Sequence, residues 1–94
     1  MPTDEVLARF LRDYDALTAE QQRAFRQAIK KLIDDVDDGR FRAGLRVKGI
    51  KGMPGHHEMT WAPDGRAIFR SGAPVRPELR HVIWVAIGTH DVLP

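Results

Sequence analysis

The chain has 94 residues, 43% of them hydrophobic and 30% charged, with 15 Lys and Arg against 13 Asp and Glu, and no cysteine. A chain this short forms one domain, residues 1–94, whose thin core buries roughly 60–70% of the surface exposed by the unfolded chain. The composition excludes a disulfide framework and thiolate metal ligation. No apolar run approaches the ~20 residues of a membrane span, and MPTDEVLARF lacks the basic-then-apolar order of a signal peptide. A cytoplasmic protein without membrane contact is expected.

The charge is unevenly placed. Residues 1–39 hold six Lys/Arg and nine Asp/Glu, whereas residues 40–94 hold nine Lys/Arg and four Asp/Glu. An acidic first part and a basic second part point towards a polyanionic partner for the second. Solvation of a small sheet is the plainer reading of the same residues.

In residues 4–15, DEVLARFLRDYD, the apolar Val6, Leu7, Phe10, Leu11 and Tyr14 recur at spacings of three and four. The spacing predicts an amphipathic helix, with Thr3 as N-cap and Asp4 and Glu5 in its first turn. Thr18 with Gln21 forms a capping box for a second helix, Ala19 to about Asp37, and Leu17 is placed as a hydrophobic staple. Ala24, Phe25, Ala28, Ile29, Leu32, Ile33 and Val36 make its apolar stripe, and Gly39 ends it. The short turn between the helices predicts a packed helical hairpin. The acidic run Asp34–Asp38 reads as a solvated helix end, because it lacks cation-site spacing.

After Gly39 the texture changes. Leu45-Arg46-Val47-Lys48 and His57-Glu58-Met59-Thr60-Trp61 alternate as half-buried strands do, and Ala62-Pro63-Asp64-Gly65 is a hairpin turn leading to Ala67-Ile68-Phe69. A proline-rich loop, 71–80, precedes Val82–Ile87, an apolar run that predicts a central strand covered on both faces. Such a strand can take an earlier strand as its second neighbour, giving a mixed sheet. The expected fold is α+β: an N-terminal helical hairpin on a four-stranded, mainly antiparallel sheet. Trp61 and Trp84 are expected in the core. Period-two alternation sets Glu58 and Thr60 on one face and His57, Met59 and Trp61 on the other. The adjacent His56 and His57 therefore diverge, and no metal or cofactor site is expected.

The element order, the segment GIKGMPGHHEMTW, the turn PDGR followed by AIF, and a final apolar strand ending IGTH resemble RelE-like toxins of type II toxin–antitoxin systems. The resemblance spans nearly the whole chain. It implies a metal-independent endoribonuclease that cleaves messenger RNA, usually on the ribosome, and is held inactive by a cognate antitoxin. Arg66, in PDGR, falls where the family carries a phosphate-binding arginine, and His90, in GTH, where members carry an arginine or a histidine. Lys48 and Lys51 match the basic first strand and its exit. Glu58 and Thr60 stand where the second strand often carries lysines, and no tyrosine follows the GTH position. Two other outcomes of the resemblance stay open: a ParE-like toxin that binds DNA gyrase without cleaving RNA, and a degenerate toxin that binds only its antitoxin.

Metal-free RNA cleavage needs a base for the 2′-hydroxyl, an acid for the departing 5′-oxygen and a cation for the charged transition state. Within the resemblance, Glu58 is the candidate base, His90 the candidate acid and Arg66 the phosphate clamp, the last because a guanidinium fork matches two phosphate oxygens. Arg46, Lys48, Lys51 and Arg70 are candidate substrate-binding residues. The competing assignments are a strand-end cap for His90 and a solvated surface residue for Arg66; Arg46 and Arg70 also have the option of pairing with acidic residues of the second helix or of an antitoxin.

Overall fold

The computed structural model describes residues 3–38, 40–73 and 81–89. The elements are β1 (Thr3–Val6), α1 (Ala8–Asp15), α2 (Ala19–Asp38), a 3₁₀ turn (Ala43–Leu45), β2 (Lys48–Ile50), β3 (Met53–Ala62), β4 (Gly65–Gly72) and β5 (His81–Thr89). The five strands form one sheet in the order β1-β5-β4-β3-β2. The three interfaces among β2, β3, β4 and β5 are antiparallel, and β1 pairs parallel to β5. The α+β class and the mixed sheet are as expected; the expected four strands are joined by a fifth.

The fifth strand replaces the start of the first expected helix. Thr3 to Val6 lie beside His81 to Trp84, and the Leu7 N–H donates to the Trp84 carbonyl at 3.0 Å. The reason is tertiary. β5 is buried along most of its length, so an unpaired edge would leave its backbone polar groups without partners. Pairing that edge outweighs the weak local preference of Asp4 and Glu5 for a first helical turn. The helix then begins at Ala8 from an extended Leu7, whose carbonyl accepts the first helical bond from the Leu11 N–H at 3.1 Å. Only part of the expected stripe is used: Phe10 is buried, while Val6 and Leu11 are exposed.

The second helix follows its sequence closely. The Thr18 N–H donates to Gln21 Oε1 at 2.8 Å and the Gln21 N–H to Thr18 Oγ1 at 3.1 Å, the reciprocal capping box. Phe25, Ala28 and Leu32 are buried, and Leu17 packs against the same core. The expected stop at Gly39 lies outside the described residues. The acidic run is not simply solvated. Asp35 is buried and takes the Arg42 N–H at 2.9 Å, Nε–H at 2.8 Å and Nη2–H at 2.9 Å. The Arg42 side-chain hydrogen bonds, followed by its backbone N–H, hold the Asp35 carboxyl down to about 2. An acidic group at the negative end of a helix is tolerated here because a cation is bound to it.

Both helices contribute to one core on one face of the sheet. Trp84, 1% exposed, is its centre, with ring centroids 5.3 Å from Phe25, 5.5 Å from Phe69 and 5.8 Å from Phe10. Edge-to-face and tilted contacts of this kind add to the burial of area. A bulge between β4 and β5 sets Ile68 against Ala86 and Phe69 against Trp84, so Val85 is the extra residue. The bulge changes the phase of β5: Val82, Trp84 and Ile87 join the core under the helices. Ile68, Ile83 and Ala86 are buried too but stand apart from that cluster, on the opposite side of the sheet.

A candidate active site on the helix-free face

The site begins with the phase of β3. Met59 and Trp61 turn into the core, and His57 stacks on Phe69 with centroids 5.4 Å apart. Glu58 and Thr60 therefore face away from the helices, as alternation predicts. The β3–β4 register sets Thr60 opposite Arg66, Glu58 opposite Ile68 and His56 opposite Arg70. The β2–β3 register sets Lys48 opposite Glu58. Arg46, Lys48, Glu58, Thr60 and Arg66 line a cavity of about 130 Å³ on this face. Three cations and one carboxylate leave the lining basic.

Glu58 is 4% exposed, and its Oε1 lies 3.3 Å from Arg66 Nε. A carboxylate this buried requires a partner, and Arg66 provides it. Arg66 is held from the other side as well. Its Nη1 donates to the Gly65 carbonyl at 2.9 Å, with longer approaches of 3.4 Å to the carbonyls of Ala62 and Pro63. The guanidinium thus sits between a carboxylate and the carbonyls of the hairpin turn, with one edge of the cavity in front of it.

Arg46 is not a strand residue, contrary to the alternation of Leu45–Lys48. It ends the 3₁₀ turn at φ 49°, ψ 44°, the left-handed region, with its N–H bonded to the Ala43 carbonyl at 3.0 Å. This is the one non-glycine residue of positive φ among the described residues. Such a conformation costs on the order of 1 kcal/mol for an ordinary side chain, and it turns the chain so that β2 starts at Lys48.

Of the other sequence candidates, Arg70 lies four residues beyond Arg66 on the same face, past Ile68, and is half-buried, outside the cavity lining. Lys51 is exposed in the β2–β3 turn, also outside it. His90 lies outside the described residues. The described part of β5 ends with Gly88 opposite Arg66 and Thr89 opposite Gly65. Thr60, which alternation places on this face, is part of the lining. Among the described residues no three His, Asp or Glu side chains converge as a metal site.

Sequence reasoning also missed the support beneath Arg66. The β3–β4 register steps from Thr60↔Arg66 to Ala62↔Gly65, leaving Trp61 as a bulged residue. The Trp61 ring lies on Gly65 so closely that a Cβ there would stand 2.5 Å from ring carbons. The glycine of PDG was legible as a turn signal; its service as a seat for an indole was not.

Two helices on one face of a five-stranded mixed sheet make an α+β architecture that matches RelE-like folds. Solved structures give the same result. The chain is similar to one chain of the E. coli DinJ–YafQ toxin–antitoxin complex, at TM-score 0.72 and 16% identity, covering 98% of this chain and 96% of that one. It is similar to a toxin from Helicobacter pylori at TM-score 0.73 and 15% identity, with both chains covered in full. A chain of the intact E. coli RelBE toxin–antitoxin complex aligns at TM-score 0.61 and 19% identity, over 95% of this chain and 96% of that one. No protein-family model and no curated protein matches the sequence. At these identities the likeness is one of fold.

Proposed function

We propose that this chain is the toxin of a type II toxin–antitoxin pair: an endoribonuclease that cleaves messenger RNA, with the ribosome presenting the substrate, and that a cognate antitoxin protein neutralises. The observation that carries the reading is the buried Glu58–Arg66 pair at the wall of a basic cavity. A phosphodiester entering that cavity competes with Glu58 for the guanidinium. Arg66 then stabilises the charge that grows on the phosphate oxygens, and Glu58 is released to take the proton of the 2′-hydroxyl. Lys48 and Arg46 add positive charge for the flanking backbone phosphates. Lys51 and Arg70, farther out, extend the basic track. In the sequence His90 directly follows Thr89, the last described residue of β5, and it is assigned the proton for the departing 5′-oxygen.

The fold supports the antitoxin as partner, since the similar chains in the DinJ–YafQ and RelBE structures are parts of toxin–antitoxin complexes. The test is expression in growing cells followed by mapping of transcript ends, beside an Arg66→Ala control. New ends with the wild type, absent with Arg66→Ala, are expected. Growth arrest with intact transcripts refutes the nuclease reading; trapped gyrase–DNA complexes in those cells would assign the chain to the ParE-like alternative.

A further inference from the structure

We propose that Trp61 is a positioning residue for Arg66, acting through Gly65 and the β3–β4 turn. The inference rests on the reading of Arg66 as the phosphate-binding group. Trp61 is the extra residue of the β3 bulge, the kind of irregularity that re-aims side chains beside functional sites. The bulge brings Ala62 opposite Gly65, so that Pro63 and Asp64 close the hairpin. Trp61 is 8% exposed, and its Cδ2, Cε2 and Cζ2 atoms cover Gly65. With no side chain at 65, the indole presses directly on the backbone of the turn. The carbonyls that this backbone presents, at Ala62, Pro63 and Gly65, are those that receive Arg66 Nη1. The helix side of the sheet thereby sets the guanidinium on the far side, through one glycine.

The indole itself supports the assignment. Its Nε1–H is buried without an acceptor among the described residues. A phenylalanine would pack against Phe25, whose ring centroid is 6.3 Å away, without burying that donor. What the indole adds is a fused ring system: the atoms over Gly65 are its two ring-fusion carbons, Cδ2 and Cε2, and Cζ2 of the six-membered ring. Tryptophan therefore carries a polar penalty that core filling does not require, at the place where its fused rings cover the turn.

The experiment uses the full chain, ¹⁵N-labelled, as wild type, Trp61→Leu, Trp61→Phe, Gly65→Ala and the Trp61→Leu/Gly65→Ala double variant. The probe is the Arg66 Nε–H signal, identified by its loss in Arg66→Lys. In the wild type it should be resolved from solvated arginines. In Trp61→Leu and in Gly65→Ala it should move to the position of solvated arginines, while the Trp84 indole signal stays in place. Gly65→Ala should add no further shift in the Trp61→Leu background, the non-additivity expected of one mechanical path. If Trp61→Leu does not fold, Trp61→Phe carries the same expectation, because it keeps a ring against Phe25 and lacks the fused ring system that covers Gly65. Cleavage by the folded variants should fall about 10–100-fold in kcat with KM within about threefold, the pattern of a misplaced catalytic group. An Arg66 signal unchanged in a folded Trp61 variant overturns the proposal. A displaced signal with RNA cleavage intact in Arg66→Lys and Arg66→Ala supports the positioning path and refutes the phosphate role of Arg66, so the two failures are distinct.

Discussion

Replacing Arg66 by methionine tests the electrostatics of the site without any assumption about substrate. The change keeps an unbranched stem and removes the cation, leaving the Glu58 side chain, 5% exposed, without its guanidinium 3.3 Å away. Breaking a fully buried pair from one side costs about 3–5 kcal/mol. Two features reduce that here. The Arg66 side chain is 18% exposed, and the cavity of about 130 Å³ beside it admits water. Lys48, opposite Glu58 in the register, also supplies some compensating charge. The expected loss is therefore about 2 kcal/mol. Glu58→Gln, which keeps a hydrogen-bonding group, should cost about 1 kcal/mol. The Glu58→Met/Arg66→Met double variant should lie within about 1 kcal/mol of the wild type, because neither charge is then left buried alone. Urea unfolding at neutral pH reads these differences. With a slope of about 2 kcal/mol/M for a domain of this size, Arg66→Met should lower the midpoint by about 1 M. A shift of less than about 0.2 M, or a double variant as unstable as Arg66→Met alone, would show that the pair is solvated and would remove the physical basis of the site.

Leu32→Ala, at a residue of α2 that is 1% exposed, should cost about 2–5 kcal/mol in the same assay, whereas Leu11→Ala on the exposed side of α1 should cost under about 0.5 kcal/mol. Thr18→Ala should cost about 1 kcal/mol through loss of the capping bond, measured as a lower urea midpoint with an unchanged slope. Asp35, held down to about 2 by Arg42, binds fewer protons folded than unfolded near pH 3. Its stabilisation is complete above the ordinary carboxylate range and is lost as pH falls towards 2, so Asp35→Asn should flatten the stability profile between about pH 5 and 2; an unchanged slope in that window would refute the linkage. His90→Ala should abolish transcript cleavage while leaving the melting temperature nearly unchanged; retained cleavage would return His90 to the role of a strand-end cap.

The parts of this protein that were legible in its sequence are those settled between near neighbours. Thr18 and Gln21 fix the start of α2 because capping partners lie three residues apart. The stripe of Phe25, Ala28 and Leu32 fixes its buried face, because a helix brings every third and fourth residue round to one side. The Pro-Asp-Gly turn fixes the β3–β4 hairpin, and alternation fixes which side of β3 carries Glu58 and Thr60. Tertiary structure decided the rest. Thr3–Val6 suited a first helical turn, and only the edge of β5, nearly eighty residues away, drew them into a strand. Arg46 bears no residue-type signal for a left-handed conformation, and Asp35 looked solvated until Arg42 reached it from beyond the helix. The candidate site divides the same way. The sequence set Glu58 on its face and Arg66 just past the turn, but their ion pair depends on a register that slips by one residue at Trp61. A bulge is the outcome of packing on both sides of a sheet at once: Trp61 takes the core and Gly65 yields the space. No local rule weighs those two demands, because the residues that set them come from α2, β3 and β4 and meet only when the chain has folded.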